Sequence, residues 1–534
     1  MKVLKIFFLL GFLSSLNSSC TQNKGNNKVL VDKRPNILFI MSDDHAYQAI
    51  SAYDKSLIET PNIDRIANEG ILFTNASVTN SICAPSRATI LTGKHTHIHG
   101  KKDNLTPFDT SQVTFPQIFK KAGYKTAIFG KLHFGNNPKG VDDFAILPGQ
   151  GSYFNPDFIT SNKRRIKTTG YATEIITDMS INWLEENKES EEPFMMMYFH
   201  KAPHRPWWPT PERMKAYLSK SIPEPETLFD DFANRGEAAK TAEMSILKDM
   251  LLSYDCKVLP EAVYKMEKNV DARDSTFYNA IYSKSNESQR KEYQPILESI
   301  ANDFKANWTS MTDQEKLKWK YQRYMQDYLA CISSVDDNIG RVLDYLDKNG
   351  LAENTIVIYT SDQGFYLGEH GWFDKRFMYK ESFKTPLVIR WPDMIKAGTI
   401  SDELVQNLDF APTLLEASKI EIPEDIQGES FLPLLTGNGK WERKHVYYHY
   451  YEYPGEHTVK RHYGISSKDY KLIHFYHDVD EWELYDLSND IHEINNVYND
   501  PKYAEVLTNM KAELKKLRSK YQVPIDSVKS SVMN

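Results

Sequence analysis

The sequence predicts an α/β protein: a large, mostly parallel sheet sandwiched by helices, with a smaller antiparallel sheet at its C-terminal end. Three observations carry this. Short apolar runs bounded by turn residues recur up to about residue 392, and helix-period stretches separate them. Near residue 440 the texture changes to short aromatic segments joined by polar turns.

The first run, RPNILFIMSDDH, sets Ile37, Leu38, Phe39 and Ile40 between Pro35 and a pair of aspartates. GYKTAIFGKLHFG is the second and PFMMMYFHKAPHRP the third, and NTIVIYTSDQG and TPLVIRWP complete the set. Continuous apolar runs suit strands covered on both faces. In YLACISSVDDNIGRVLDYLDKNG, Tyr328, Ile332, Val335, Ile339, Val342 and Leu346 recur at alternating steps of four and three. That spacing makes one apolar helix face, with Gly350 as its C-terminal stop. Residues from about 212 to 320 are rich in Glu, Lys and Ala, and pieces such as EAAKTAEMSILKDMLLSY suit helices. They read as a helical insertion in a main domain spanning 35–435. HVYYHYYEY, RHYGISS, YKLIHFYH and WELYDL read as strands of a subdomain over 436–534. A basic helix, VLTNMKAELKKLRSKY, closes it with a solvated charged face. There is no internal repeat.

The chain has 534 residues, 41% apolar and 12% aromatic, which suits a folded protein and excludes global disorder. A net charge of −7 with both signs interspersed excludes nucleic acid as a natural partner. The N-terminus, MKVLKIFFLLGFLSSLNSSC, has two lysines, an apolar core from Ile6 to Leu13 and small polar residues before Cys20. That is an export signal over residues 1–20, too short to span a bilayer comfortably. Its end resembles a bacterial lipoprotein site at which Cys20 is lipidated, although Asn17 stands where an aliphatic residue is usual. Residues 21–34 then read as a flexible tether. The expectation is an exported protein, in the periplasm or lipid-anchored at the outer membrane, touching membrane only through that anchor. Of the four cysteines, Cys20, Cys83, Cys256 and Cys331, a lipidated Cys20 would leave three, which excludes a disulfide framework. Cys256 and Cys331 sit in helix-like segments as buried thiols, whereas Cys83 has a turn-forming, basic neighbourhood.

In doubly wound sheets ligands bind beyond the carboxyl ends of the strands. Here one end carries Asp43-Asp44-His45, the next Lys131 and His133, the third His204 and the fourth Asp362-Gln363. Each alone has an ordinary reading: a helix cap, a surface lysine, a turn histidine. Four such ends are harder to dismiss, because the predicted fold would bring them together. Three carboxylates and a carboxamide oxygen form a hard-oxygen set suited to Ca²⁺, with Mg²⁺ as the alternative. Arg87, Lys131 and Lys375 add positive charge for an oxygen-rich anion, sulfate or phosphate. His133 and His204 can move protons near neutral pH.

Cys83-Ala84-Pro85-Ser86-Arg87, extended by LTGK at 91–94, resembles the Cys-x-Pro-x-Arg signature of the type I sulfatases of the alkaline phosphatase superfamily. GKLHFG, HKAPHRPW and SDQGFYLGEHGWFDKRFMYKES resemble later family segments in the family's order. The resemblance implies that a maturation enzyme oxidises Cys83 to Cα-formylglycine (3-oxoalanine), whose hydrate attacks sulfur while the ester alcohol departs. It implies metal ligation by Asp43, Asp44, Asp362, Gln363 and the modified Cys83. Gln363 departs from the asparagine of many relatives. Arg87 and Lys131 would hold the diol and the sulfate, and His133 would take a proton as the sulfated intermediate collapses. His204 would serve the leaving alcohol. Lys375 would bind sulfate, or pair instead with Asp374.

Two clusters keep a plainer reading. His95, His97 and His99 could hold zinc, but they continue the signature helix and suit packing or capping. In YYHYYEYPGEHTVKRHYG, His457, Arg461 and His462 are candidates for a sugar-binding wall, with strand packing as the alternative. The texture is similar to glycan sulfatases acting on N-acetylglucosamine-6-sulfate, glycosaminoglycans, mucin or algal polymers such as ulvan and carrageenan. The expected activity is therefore release of sulfate from a sulfated carbohydrate. A phosphodiesterase or phosphonate hydrolase of the same superfamily, or a silent glycan-binding lipoprotein, are the alternatives.

Overall fold

A computed structural model describes residues 34–162 and 164–524. The export signal, Cys20 and the tether up to residue 33 lie outside the described residues. Among the described residues no helix is long and apolar enough to cross a membrane.

The fold is the one the sequence predicts: a ten-stranded mixed sheet and a separate four-stranded antiparallel sheet. Five parallel strands form the middle, in the order Thr355–Ser361, Asn36–Ser42, Phe194–Phe199, Lys125–Gly130 and Asp143–Ile146. Asn36–Ser42 is buried along its whole length. Its alternate residues feed two cores: Leu38 and Ile40 face one, and Ile37, Phe39 and Met41 face the other. Leu387–Arg390 extends the sheet antiparallel to Thr355–Ser361.

Register is what positions the chemistry. Ser42 pairs with Ser361, Met41 with Phe199, and Gly130 with Phe199. The residues that follow these strands therefore emerge side by side at one edge of the sheet. Asp362 N–H donates to the Ser42 carbonyl at 3.3 Å, and Lys131 N–H donates to that of Phe199 at 3.0 Å.

The long helix runs over Asp313–Lys348, 36 residues, and starts earlier than its best periodic stretch. A capping box sets its start: the Thr312 side chain accepts from Glu315 N–H while the Glu315 carboxylate accepts from Thr312 N–H. Tyr328, Ile332, Val335, Ile339, Val342 and Leu346 are all wholly buried on one sheet face.

The helical reading of EAAKTAEMSILKDMLLSY is corrected: only Glu237–Lys240 is helical. Asp249 accepts from Ser245 N–H at 2.7 Å and Asp255 from Leu251 N–H at 2.8 Å, so carboxylates take backbone donors that a helix would use. Met244, Ile246, Met250 and Leu252 bury themselves from this irregular chain. Cys256 accordingly lies in a turn and not in a helix; it and Cys331 are free, buried thiols.

At the C-terminal end Val446–Tyr450, His462–Ser466, Tyr470–Phe475 and Glu481–Asp486 pair antiparallel in chain order. The helix Ala504–Lys520 packs Met510 and Leu514 on one face of that sheet. The other face carries Tyr448, Tyr450 and Phe475 into a cluster with Phe377, Met378 and Tyr379, which follow Lys375 closely. The small sheet thus buttresses the segment that bears a candidate site residue.

Candidate active site

Cys83 opens a ten-residue helix, Cys83–Thr92, buried throughout and ended by Gly93 at φ +65°. Pro85 is tolerated because it falls in the first turn. No side chain of its own N-cap holds this helix start; Asn104 Oδ1 accepts from Ala84 N–H at 3.1 Å instead. The thiol therefore sits where the helix presents free N–H groups and partial positive charge. One turn on, Arg87 crosses to the strand ends: Nε donates to Asp362 Oδ2 at 2.9 Å and Nη2 to Asp43 Oδ1 at 3.2 Å.

Around this helix the site closes. Lys131 Nζ binds Asp43 and Gln150 Oε1, while Lys375 Nζ binds both oxygens of Asp44 at 2.6 and 2.7 Å. Lys375 is 3.8 Å from Asp374, so Asp44 is its main partner. Ligand atoms of Asp43, Cys83 and Asp362 all lie within 4.8 Å of one another, and Cys83 Sγ is 4.0 Å from Asp44 Oδ1. Gln363 Nε2 donates to Asp44, which leaves Gln363 Oε1 buried and without a hydrogen-bond partner. His204 is fixed by its own chain: Nδ1 donates to the Arg205 carbonyl at 2.5 Å, and Nε2 stands 3.8 Å from Asp44 Oδ2. His133 is nearly buried, with an unpaired Nδ1.

The electrostatics follow from burial and crowding. Burial alone would raise the Asp43 carboxyl, yet Lys131, His204 and Arg87 hold it well below the usual range. Burial lifts Asp44 to about 6 against the pull of Lys375, and Asp362 to about 7 against that of Arg87; nearby Asp43 raises both. Asp43 and Asp362 converge with Cys83, and Asp44 and the unpartnered Gln363 amide oxygen lie next to them in sequence, a donor set that fits a divalent, oxygen-seeking cation. Burial, then the Lys131 charge, push His133 and His204 well below the ordinary imidazole value. Burial also raises the Cys83 thiol strongly, which makes a thiolate scarce at neutral pH.

A model of the sulfatase family matches residues 35–420, and a model of the N-sulphoglucosamine sulphohydrolase C-terminal region matches 368–520. The chain belongs to the sulfatase family. It is a sulfuric ester hydrolase. The protein is 48% identical over 92% of its length to an N-acetylglucosamine-6-O-sulfatase of Bacteroides thetaiotaomicron, covering 87% of that relative. It is similar to a solved structure bound to its substrate D-glucosamine-2-N,6-O-disulfate, with TM-score 0.85 and 46% identity over 92% of this chain and 98% of that one. A phosphonate monoester hydrolase from Silicibacter pomeroyi shares the fold at TM-score 0.62 and 19% identity, over 91% of this chain and 96% of that one.

Of the residues read from the sulfatase's sequence, the structure brings Asp43, Asp44, Cys83, Arg87, Lys131, His133, His204, Asp362, Gln363 and Lys375 together. The C-terminal candidates divide. His457 reaches the rim, with Nδ1 on the Glu243 carbonyl and Nε2 3.7 Å from Asp374 Oδ2. His462 is corrected: it is wholly buried in its strand, accepting from Met378 N–H at Nε2 and donating to the Lys460 carbonyl from Nδ1. Arg461 pairs with Asp478, Nη2 donating at 2.7 Å, and its side chain stays partly exposed. The three histidines that follow the signature helix pack against aromatics, backbone and a hydroxyl: the His95 ring centre lies 4.3 Å from that of Tyr521, His97 meets the Tyr521 carbonyl, and His99 meets Thr89.

Sequence reasoning missed a chain of charges leading out of the pocket. Asp374 accepts from Arg376 at 2.8 Å, Arg376 reaches Glu452 at 2.5 Å and Glu456 at 3.4 Å, and Glu456 lies 3.8 Å from Arg205. Their signal was adjacency: Asp374 and Arg376 flank Lys375 in DKR, and Arg205 follows His204.

Proposed function

We propose that this sulfatase releases sulfate from the 6-O position of a glucosamine unit in a sulfated glycan. The observation that carries it is the 48% identity, along nearly the whole chain, to an N-acetylglucosamine-6-O-sulfatase. The likeness to a protein holding D-glucosamine-2-N,6-O-disulfate supports the same sugar. Asp374 lies 3.8 Å from the Lys375 ammonium, and Arg376 and His457 gather around Asp374, so the group offers both donors and acceptors for sugar hydroxyls.

In this reading Cys83 is converted to Cα-formylglycine, whose hydrate supplies the nucleophile. Its complete burial means that a maturation enzyme would meet it before folding closes the site. The strongly raised thiol makes unmodified cysteine a poor nucleophile here. Asp43, Asp44, Asp362 and Gln363 would hold Ca²⁺, which supplies charge stabilisation for an oxyanion. Arg87, Lys131 and Lys375 balance the charge of the sulfate. His133, neutral because of its burial, is ready to accept a proton from the nucleophile's second hydroxyl. His204 faces the same pocket through Nε2, and an incoming sulfate ester adds negative charge that favours its protonated form, from which the leaving oxygen takes a proton. An export signal with a lipidated Cys20 would place this activity in the envelope, where large glycans are met.

The test is sulfate release from 6-O-sulfated glucosamine derivatives, set against 2-O- and 3-O-sulfated sugars and ulvan oligosaccharides. Turnover confined to the last three would sink the sugar assignment. Mass spectrometry of the Cys83 peptide from the native host tests the conversion: an unmodified thiol in active protein contradicts it.

A further inference from the structure

After the strand Asp143–Ile146, the chain LPGQGSY (147–153) touches the catalytic centre twice. Gly149 and Gly151 take φ +55° and +72°, and a Cβ on Gly151 would fall 2.7 Å from the Leu147 side chain. These bends present Gln150 and Tyr153 to two different catalytic groups. Gln150 Oε1 accepts from Lys131 Nζ, the ammonium already bound to Asp43. An ammonium has three N–H donors, so with Asp43 and Gln150 on two of them the third is left for a sulfate oxygen. Tyr153 is buried, and its hydroxyl donates to the His204 carbonyl at 2.7 Å. The Lys201 ammonium packs 4.8 Å from the centre of the Tyr153 ring, and its carbonyl accepts from His204 N–H at 3.1 Å. Asn155 anchors the far end of the loop, with Oδ1 accepting from Gly170 N–H at 2.9 Å and Nδ2 donating to the Lys284 carbonyl at 2.7 Å.

We propose that the 148–153 loop positions two catalytic groups at once, Gln150 setting the Lys131 ammonium for sulfate and Tyr153 setting the His204 imidazole for the leaving alcohol. This rests on the roles given above to Lys131 and His204. Without Gln150, Asp43 alone holds the Lys131 ammonium, and the flexible stem is free to turn its remaining donors away from the sulfate. Without the tyrosine hydroxyl, His204 keeps only the hydrogen bonds of its own turn and the looser 3.8 Å approach to Asp44, and small misplacements of a reacting group cost rate steeply.

Double-mutant cycles on matured, calcium-loaded enzyme decide it, with 6-O-sulfated glucosamine and 4-nitrophenyl sulfate as the two substrates. Tyr153→Phe keeps the ring and removes the bond to the His204 carbonyl together with the hydroxyl's contact with the Cys331 thiol; kcat on the sugar should fall about tenfold, and on the activated aryl ester about twofold. Tyr153→Phe with His204→Ala should be no slower than His204→Ala alone. Gln150→Met should weaken inhibition by inorganic sulfate about fivefold, and have no such effect on top of Lys131→Ala. Equal losses on both substrates, or additive losses in either cycle, overturn the proposal. If His204→Ala itself spares the sugar substrate, the role of His204 has failed; if it does not, yet Tyr153→Phe is silent, the loop's part in it has failed. Should Tyr153→Phe not fold, the half-buried Gln150 pair settles the loop's role alone.

Discussion

The strand ends and the C-terminal rim of this sulfatase both offer histidines, arginines and acids to one pocket, yet they are built differently. At the strand ends, sheet register does the placing: Ser42 beside Ser361 brings Asp43 to Asp362, and Gly130 beside Phe199 brings Lys131 to the same edge. At the rim, loops place the side chains, and neighbours in sequence part company. His457 turns to Asp374, whereas His462, five positions on, is sealed inside its strand. Groups held by register are interdependent and hard to replace. Groups held by a loop can be lost one at a time.

The largest expected effect is at Cys83, the proposed nucleophile, which the start of the helix Cys83–Thr92 sets against the register-held strand ends. Cys83→Ala should abolish turnover while the circular dichroism spectrum and melting temperature stay near wild type, since it trims one small buried side chain. Retained turnover would remove Cys83 from the chemistry and erase the contrast between the two regions. His204→Ala comes next: loss of a general acid should cost about 10²–10⁴ in kcat on sugar sulfate. An aryl sulfate with a good leaving group should lose much less, and equal losses would contradict the acid role.

The contrast also explains what the sequence made legible. Each strand end announces itself as an apolar run stopped by polar residues, so four pocket walls were readable from Asp43-Asp44, Lys131, His204 and Asp362-Gln363. Cys83 and Arg87 share a helix turn, which fixed their relation as well. The rim was not readable, because alternation along a strand decides which side of the sheet a residue faces, and sequence alone gives no loop path for Glu452 or Glu456. In YYHYYEYPGEHTVKRHYG aromatic content suggested a wall, while the stacking of Tyr448, Tyr450 and Phe475 around His462 makes a core. The insertion failed for a related reason: Asp249 and Asp255 hold local backbone donors, and helix composition lost to that chemistry. The early start of the long helix was legible in TDQE, a capping-box pattern that the apolar spacing obscured.

A third effect concerns the acids that register forces together. Asp44 and Asp362 titrate at about 6 and 7, both above their ordinary value of 3.8. A carboxyl raised on folding stabilises the metal-free protein fully at low pH, and that contribution is lost as pH rises through the folded value. If, as proposed, these acids hold calcium, the ion must displace those protons, so its affinity should fall by about 100-fold from pH 8 to pH 5.5, with proton release on binding. Calorimetry in two buffers reads both quantities. Equal affinity at the two pH values would show that the three carboxyl groups do not share the ion.

The smallest effects separate the rim from the core. His457→Ala should raise KM about threefold to tenfold with kcat nearly kept, as for loss of one hydrogen bond to a bound sugar. His462→Ala should leave KM alone and lower stability by about 2–4 kcal/mol, because it opens a hole between stacked rings and strands the Met378 N–H. Arg461→Ala removes a partly exposed pair with Asp478 and should shift stability by less than about 1 kcal/mol, with sulfate release unchanged. If Arg461→Ala instead raised KM as much as His457→Ala, the substrate would have to reach past the first loop. The boundary drawn here between a rim at Glu456-His457 and a structural sheet from Arg461 onward would then be in the wrong place.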